Sequence, residues 1–375
     1  MHTIGHRDQS HAERLWHMRA ARSRTVGRLL LGGLFAVCAV LATQMTMAQT
    51  SAAVIATATQ LDGADRTQKL VDGAKREQTL TFYTSMAAKD SALLVSGFEK
   101  KYGIKVVVWR SGKQHVLQRV ITEARAGRNE VDLISLPSPE MEALHREKLL
   151  QPVRAPLQND LIPVALPAHR EWVGMRANVY VQAYNTQKVA AADLPRTYED
   201  LLDPKWKGKL GIEAKAQNWF YVLLQTMGEE KGMAFFRQLI ATNGVSVRSG
   251  MSLLANMVVS GEVPFALTMY TYLVDQNKAN GAPIAMVTLS PTVAHTDGIG
   301  VAANAPHAYA ATLFYDYLLS DGQVMIAKGH GLTTNKRDQA ALAKLNPTFI
   351  DPAVLLDHLD EWTRLYNDTI QGKGK

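Results

Sequence analysis

Three short stretches early in the chain place hydroxyls or glycine just before a helical pattern: Thr84-Ser85, Ser111-Gly112-Lys113 and Pro137-Ser138. Each follows an apolar run with strand character. A loop leading from a strand into a helix offers free backbone N–H groups and the positive end of the helix dipole, which suit an anion. Ser85, Ser111 and Ser138 therefore fit two roles, ligand contact or helix cap, and the two can coincide. Further on, Glu213-Ala214-Lys215 follows a short apolar run, and Asn218 and Trp219 open the next helical pattern. Trp219 can stack on a ligand or pack in a core. Arg248-Ser249-Gly250 repeats the loop-to-helix arrangement, with a solvated loop as its alternative. Arg176 can grip a carboxylate or phosphate through two parallel N–H bonds, or form an ordinary surface ion pair. Tyr270 and Tyr272 stand at i and i+2, so an extended segment turns both phenols to one face.

Those positions require alternating strands and helices. Arg66–Gln78, Ser91–Tyr102, Lys113–Ala126 and Pro139–Glu147 read as helices. Leu80–Tyr83, Lys105–Trp109 and Val131–Ser135 read as the strands between them. This alternation predicts α/β layers with a mainly parallel sheet. Trp172–Asn185 reads as strand and turn. Asn218–Met227, Glu229–Ala241 and Ser252–Ser260 read as helices, and Val263–Tyr270 as an apolar strand. Gly298–Ala303 reads as a strand, Pro306–Leu319 as a helix, and Asp351–Leu365 closes the chain. In Asp193–Ala214, Thr197 and Asp200 form an S/T-x-x-[DE] helix start, Pro204 stops that helix, and Gly208 turns the chain into Leu210–Ile212.

The N-terminus reads as an export signal. Arg7, Arg14, Arg19, Arg22, Arg24 and Arg28 precede the uncharged run Leu29–Ala42. As a helix that run would rise about 21 Å, short of the roughly 30 Å hydrocarbon core, so a cleavable signal fits better than an anchor. Thr46-Met47-Ala48 places cleavage before Gln49, and Met18 is an alternative start. Cys38, the one cysteine, lies inside this run and follows Val37, which argues against a lipoprotein signal. A mature chain would then lack disulfides and thiol chemistry. Of the formal charge of +7, six arginines less two acids in residues 1–48 account for +4, leaving about +3. No basic–aromatic block points to nucleic acid.

The wording of several segments goes beyond these generic patterns. They are LTFYTS (Leu80–Ser85), FEKKYGIKV (Phe98–Val106), DLISLPS (Asp132–Ser138), NVYVQAYNTQKV (Asn178–Val189), the tract Asp193–Ala214, SGEVPFALTMYTY (Ser260–Tyr272) and GIGVAANAPH (Gly298–His307). In this order and spacing they resemble the periplasmic solute-binding proteins of ABC importers, in the ferric-iron-binding-like branch of extracellular solute-binding protein family 1. The resemblance covers most of Thr79–Arg337. It implies a type II two-lobed periplasmic-binding-protein fold, each lobe a mainly parallel sheet flanked by helices, joined by a hinge of crossing strands. The expected division is a signal peptide (1–48), a flexible lead-in (49–65), lobe 1 (66–171 with 285–345), lobe 2 (172–284) and a C-terminal helical segment (346–375).

The resemblance also implies a monomer that delivers its ligand to an inner-membrane permease. No resident cofactor is expected, and Fe(III) would be cargo. That branch binds iron through tyrosine phenolates in the region of Tyr270 and Tyr272, and hard anionic oxygen suits Fe(III). The candidate ligand-contacting set is Ser85, Ser111, Gly112, Ser138, Arg176, Lys215, Trp219, Ser249, Tyr270 and Tyr272, with the two tyrosines as metal ligands. A metal-free organic carboxylate or phosphorylated compound fits the same loops, and a sensor subunit fits the same fold. A secreted α/β enzyme finds little support: H-E-x-x-H, P-loop and G-x-S-x-G patterns are missing. GIGVAA (Gly298–Ala303) reads as a strand, not a dinucleotide turn. His115, His145, His169, His295, His307, His330 and His358 are scattered without an i, i+4 pair and read mostly as solvated.

Overall fold

The structure, a computed structural model, describes residues 52–372. The expected signal sequence and its cleavage site lie outside the described residues. A helix α1 covers residues 52–60, where a flexible lead-in was expected. Its Ile55 and Ala58 are buried against Ala308 and Tyr309, which is why the segment is ordered.

The first part of the chain builds strands and helices in strict alternation: α2 (Arg66–Glu77), β1 (Thr79–Thr84), α3 (Ala88–Tyr102), β2 (Lys105–Arg110), α4 (Lys113–Arg125), β3 (Leu133–Pro137) and α5 (Ser138–Arg146). β1 pairs in parallel with β2 and β3. β4 (Leu150–Gln151) and a loop lead to β5 (Val173–Asn185), thirteen residues long. A second alternating set follows: β6 (Leu210–Glu213), α6 (Gln217–Met227), α7 (Glu229–Asn243), β7 (Ser246–Arg248), α8 (Met251–Ser260), β8 (Phe265–Tyr270) and α9 (Thr271–Ala279). Here β6 is parallel to β7 and β8. After β9 (Ile284–Val287) comes β10 (Val293–Ala302), then α10 (Ala308–Leu319), α11 (Asp321–Lys328) and β11 (Leu332–Thr333). The chain ends with α12 (Ala340–Leu345), β12 (Thr348–Phe349), α13 (Pro352–Asp357) and α14 (Leu359–Ile370).

The sheet is one continuous surface rather than two separate ones, in the order β2-β1-β3-β10-β5-β8-β6-β7. Its outer parts are parallel, and it turns antiparallel where β10 and β5 cross its middle. Each crossing strand is shared between two cores. Val173 and Met175 of β5 and Ile299 and Val301 of β10 pack in the first core. Tyr180 of β5 and Val293 of β10 pack in the second. An apolar core around each end of a shared strand defines two lobes joined at a hinge.

Two local expectations are corrected. The Thr197/Asp200 bonds form, with Asp200 Oδ2 accepting from Thr197 N at 3.0 Å and Thr197 Oγ1 from Asp200 N at 3.4 Å, but the helix they open is a single 3₁₀ segment, Glu199–Leu202. Asp203 and Pro204 cut it short. The closing helix is broken at His358 into α13 and α14. Arg146 of α5 bonds Asp357 and the Ala353 carbonyl, whereas Trp362 and Tyr366 of α14 pack on Tyr221 and Phe220 of α6, so the segment touches both lobes. In β10, the GIG glycines serve packing: a Cβ on Gly298 would lie 2.8 Å from Met141 Cγ, and one on Gly300 would lie 2.9 Å from the Glu171 carbonyl oxygen. Among the described residues, no helix is long and apolar enough to cross a membrane.

Candidate functional site

The cleft between the lobes has a volume of about 510 Å³. Alternation along β5 explains its floor. Ala177, Val179 and Val181 point into a lobe 2 core, so Arg176, Asn178 and Tyr180 face the opposite side and line the cleft. Asp297 of β10 joins them.

Lobe 1 contributes three strand-to-helix loops, with Ser85, Arg110, Ser111, Gly112, Lys113 and Pro137 on the wall. The serines do not act as caps. The N-cap of α3 is Ala87 and that of α4 is Gly112, both without a side-chain bond to the helix. Ser111 Oγ lies instead 3.4 Å from His115 Nδ1. Uncapped N–H groups at the cleft wall leave donors for a ligand. Lys113 is held at 3.1 Å by Glu140 of α5, and Arg110 is exposed.

Lobe 2 presents Glu213, Lys215, Ser249, Gly250, Tyr270 and Tyr272. The Glu213 carboxylate accepts from Lys215 N at 2.7 Å and Gly250 N at 3.0 Å, tying two cleft loops together. Lys215 itself is exposed.

Tyr270 ends β8 and Tyr272 lies in the first turn of α9, so the segment is not extended as expected. The junction still brings the rings together, stacked at 6.0 Å and 17°. A third phenol completes the group: Tyr270 OH donates to Tyr180 OH at 3.3 Å. Burial pushes all three phenols up, Tyr180 and Tyr272 to about 12 and Tyr270 well above its ordinary value. Lys113 opposes that shift at Tyr180, and Arg176 opposes it at Tyr272. At neutral pH the phenols are therefore uncharged, and only a nearby cation would draw them to phenolate.

Arg176 is neither a free ligand grip nor a surface ion pair. It is buried, donating to Asp297 Oδ2 at 2.6 Å and to Asp90 Oδ2 at 3.0 Å. Its guanidinium carbon sits 4.9 Å from the centre of the Tyr272 ring. These partners raise its pKa against a large burial cost. Asp90 belongs to α3 and also accepts from Gln276 of α9, so the cluster spans both lobes.

His295 of β10, expected in solvent, is 1% exposed beneath the rings of Tyr180 and Tyr270. Burial lowers its pKa to about 4, so it is neutral at pH 7. Its Nε2 lies 3.3 Å from Asn178 Nδ2, and Nδ1 has no partner.

Of the candidate residues, Ser85, Ser111, Gly112, Arg176, Lys215, Ser249, Tyr270 and Tyr272 line this cleft. Ser138 and Trp219 do not. Ser138 is buried at the start of α5 behind Pro137. Trp219 is 1% exposed, packed against Phe236 and Tyr198 in the lobe 2 core, because α6 turns its opening residues inward. Sequence reasoning missed Tyr180, although the period-two pattern Arg176, Asn178, Tyr180 within an apolar strand was a usable signal.

A family model for bacterial extracellular solute-binding proteins matches residues 131–349, and the chain belongs to that family. It is similar to an Fe(3+)-binding periplasmic protein of Serratia marcescens, 27% identical over 202 residues, covering 53% of this chain and 59% of that one. The chain thus spans less than two thirds of that relative. It is also similar to iron uptake protein A1 of a Synechocystis strain, 24% identical over 326 residues, covering 78% of this chain and 90% of that one. Among solved structures, iron-bound HitA from Pseudomonas aeruginosa superposes with a TM-score of 0.69 at 22% identity, over 78% of this chain and 99% of that one. At that identity the likeness speaks for the fold: two lobes of the type II periplasmic-binding-protein kind.

Proposed function

We propose that this chain is the periplasmic substrate-binding component of an ABC importer, capturing ferric iron, alone or with an anion, and handing it to an inner-membrane permease. One observation carries the reading: the phenols of Tyr180 and Tyr270 lie 3.3 Å apart on the cleft floor, with Tyr272 stacked beside them. That separation is close to the spacing of two neighbouring oxygen ligands on one small, hard cation. A trivalent ion supplies the charge that would convert buried phenols to phenolates. The relatives named for ferric iron support the same cargo. Tyr180 thereby joins Tyr270 and Tyr272 as a proposed metal ligand.

The rest of the cleft suits an anion that fills the remaining positions on the iron. Arg110, Lys113, Lys215 and the open N-termini of α4 and α8 line it. Because the phenols sit on lobe 2 and the α4 loop on lobe 1, a bound ferric–anion complex would contact both. Only such two-sided contact shifts a hinged protein toward its closed form.

The test is a titration of the protein with ferric citrate, read by the visible phenolate-to-iron absorption band and by thermal unfolding. The reading predicts the band, a raised midpoint, and loss of both in Tyr180→Phe/Tyr270→Phe. Stabilisation by citrate or a sugar phosphate without iron, undiminished in that variant, would transfer the function to a metal-free anion.

A further inference from the structure

Outside the cleft, the fold assembles a second group of metal-binding side chains that are distant in sequence. His145 lies in the last turn of α5. His169 and Glu171 come from the loop that runs into β5. One ligand atom from each lies within 4.8 Å of the other two. The imidazole rings are stacked at 3.7 Å and 10°, and His145 Nδ1 is 2.7 Å from Glu171 Oε2. Glu142, one turn earlier on α5, places Oε2 3.5 Å from His169 Nε2. That buried Nε2 makes no hydrogen bond.

We propose that His145, His169 and Glu171, with Glu142 as a fourth ligand, form a site for a divalent first-row cation of the zinc class. Two imidazoles with one or two carboxylates are a donor set that such ions favour over the hard ferric ion. The elements behind the site are rigid. Met141 of α5 and the Glu171 backbone press on β10 where Gly298 and Gly300 leave room, and the neighbouring Trp172 is buried. The ligands themselves have room to adjust. Their side chains are 28%, 21% and 22% exposed for His145, His169 and Glu171. Tetrahedral ligation with bonds of about 2.0–2.1 Å brings ligand atoms to about 3.4 Å apart, a contraction that rotation of these side chains can supply.

The proton balance is explicit. At His145 the cation takes the place of the proton shared with Glu171. At His169, Nδ1 now accepts a 3.1 Å bond from Glu171 N–H. Ligation through Nε2 requires the proton on Nδ1, so that backbone bond is given up on binding. Ions of this kind therefore compete with protons, and binding weakens on acidification. A bound ion would tie α5 to the segment feeding β5, and so stiffen the lobe 1 end of the hinge.

The experiment is calorimetric titration of the EDTA-stripped full chain with ZnCl₂ at pH 7.5, repeated with CoCl₂ to read the intense visible bands of tetrahedral cobalt. Tyr180→Phe/Tyr270→Phe removes the cleft phenols as competing ligands. The proposal expects one equivalent of Zn²⁺ in that background, weakened at least tenfold by His145→Ala or His169→Ala and less by Glu171→Gln. Made in the otherwise unaltered chain, the histidine variants are expected to keep its ferric response. Absence of Zn²⁺ binding, or affinity unchanged by Glu171→Gln and by both histidine substitutions, overturns it. Binding that disappears with the phenols alone assigns the ion to the cleft and overturns it equally.

Discussion

The two walls of the cleft are chemically unlike. The lobe 2 side and the floor hold three phenols polarised by their neighbours: Tyr180 and Tyr272, which are buried, and Tyr270, which is half-buried. The lobe 1 wall has no phenol among its lining residues. It offers hydroxyls, glycine, two cations and an uncapped helix start. The phenol side is built from the ends of regular elements, so its oxygens are fixed before any ligand arrives. The lobe 1 wall is loop backbone with one exposed cation, Arg110, which can adapt, and a second, Lys113, held by Glu140. Under the proposed function the two walls divide the work: one would present preformed hard ligands, and the other would neutralise the anion that accompanies the iron. The buried Arg176–Asp90–Asp297 cluster stands where the two walls meet and bonds to both.

The comparison breaks most sharply at the phenols. Tyr180→Phe with Tyr270→Phe is expected to weaken ferric binding by about 1,000-fold, near 4 kcal/mol, measured by competition against a coloured iron chelator. A loss under tenfold would remove the distinction between the walls. Next in size is the seam. Arg176→Met leaves the buried Asp297 and the half-buried Asp90 without their cation, and breaking such a pair costs about 3–5 kcal/mol. Urea unfolding should show it, with ferric affinity changed less than stability.

His295 sharpens the contrast through pH. Its folded pKa, about 4, lies below the unfolded value of 6.5. Between those values the unfolded chain binds more protons, so stability falls as pH drops from 6.5 towards 4. The contribution is about 3 kcal/mol, present in full above pH 6.5. Urea midpoints across that window should flatten in His295→Gln, and an unchanged slope would contradict the assignment. The smallest effect belongs to the two exposed cations, Arg110 on the lobe 1 wall and Lys215 on the lobe 2 wall. Arg110→Ala with Lys215→Ala should weaken the ferric–citrate complex about tenfold, or 1.4 kcal/mol. The loss should shrink at high salt, because both cations are exposed. A salt-independent loss would mean that these residues act by some route other than charge.

Much of the framework was legible in the chain. Helices and strands from Arg66 to Arg146 follow hydrophobic period and glycine breaks, signals that are local. β7 and β9 escaped notice because three- and four-residue strands carry too little period to read. α9 escaped because Thr271 follows the apolar strand β8 without a cap residue. At the site, the lobe 1 loops and the Tyr270/Tyr272 pair were readable as types at a spacing. The roles of Trp219 and Ser138 were not, since a residue opening a helix can face either way and only packing chooses.

The histidines mark the boundary most clearly. Local pattern determined the alternation of elements, the strand-to-helix loops and the tyrosines at the end of a strand, because each depends on neighbours within a few residues. Nothing local joins His145 to His169, Tyr180 to Tyr270, or Arg176 to Asp90 and Asp297. Those contacts exist because β5 and β10 cross the sheet between two cores. Burial there is a property of the whole fold, and burial is what turns an ordinary arginine into a seam and an ordinary histidine into a neutral one.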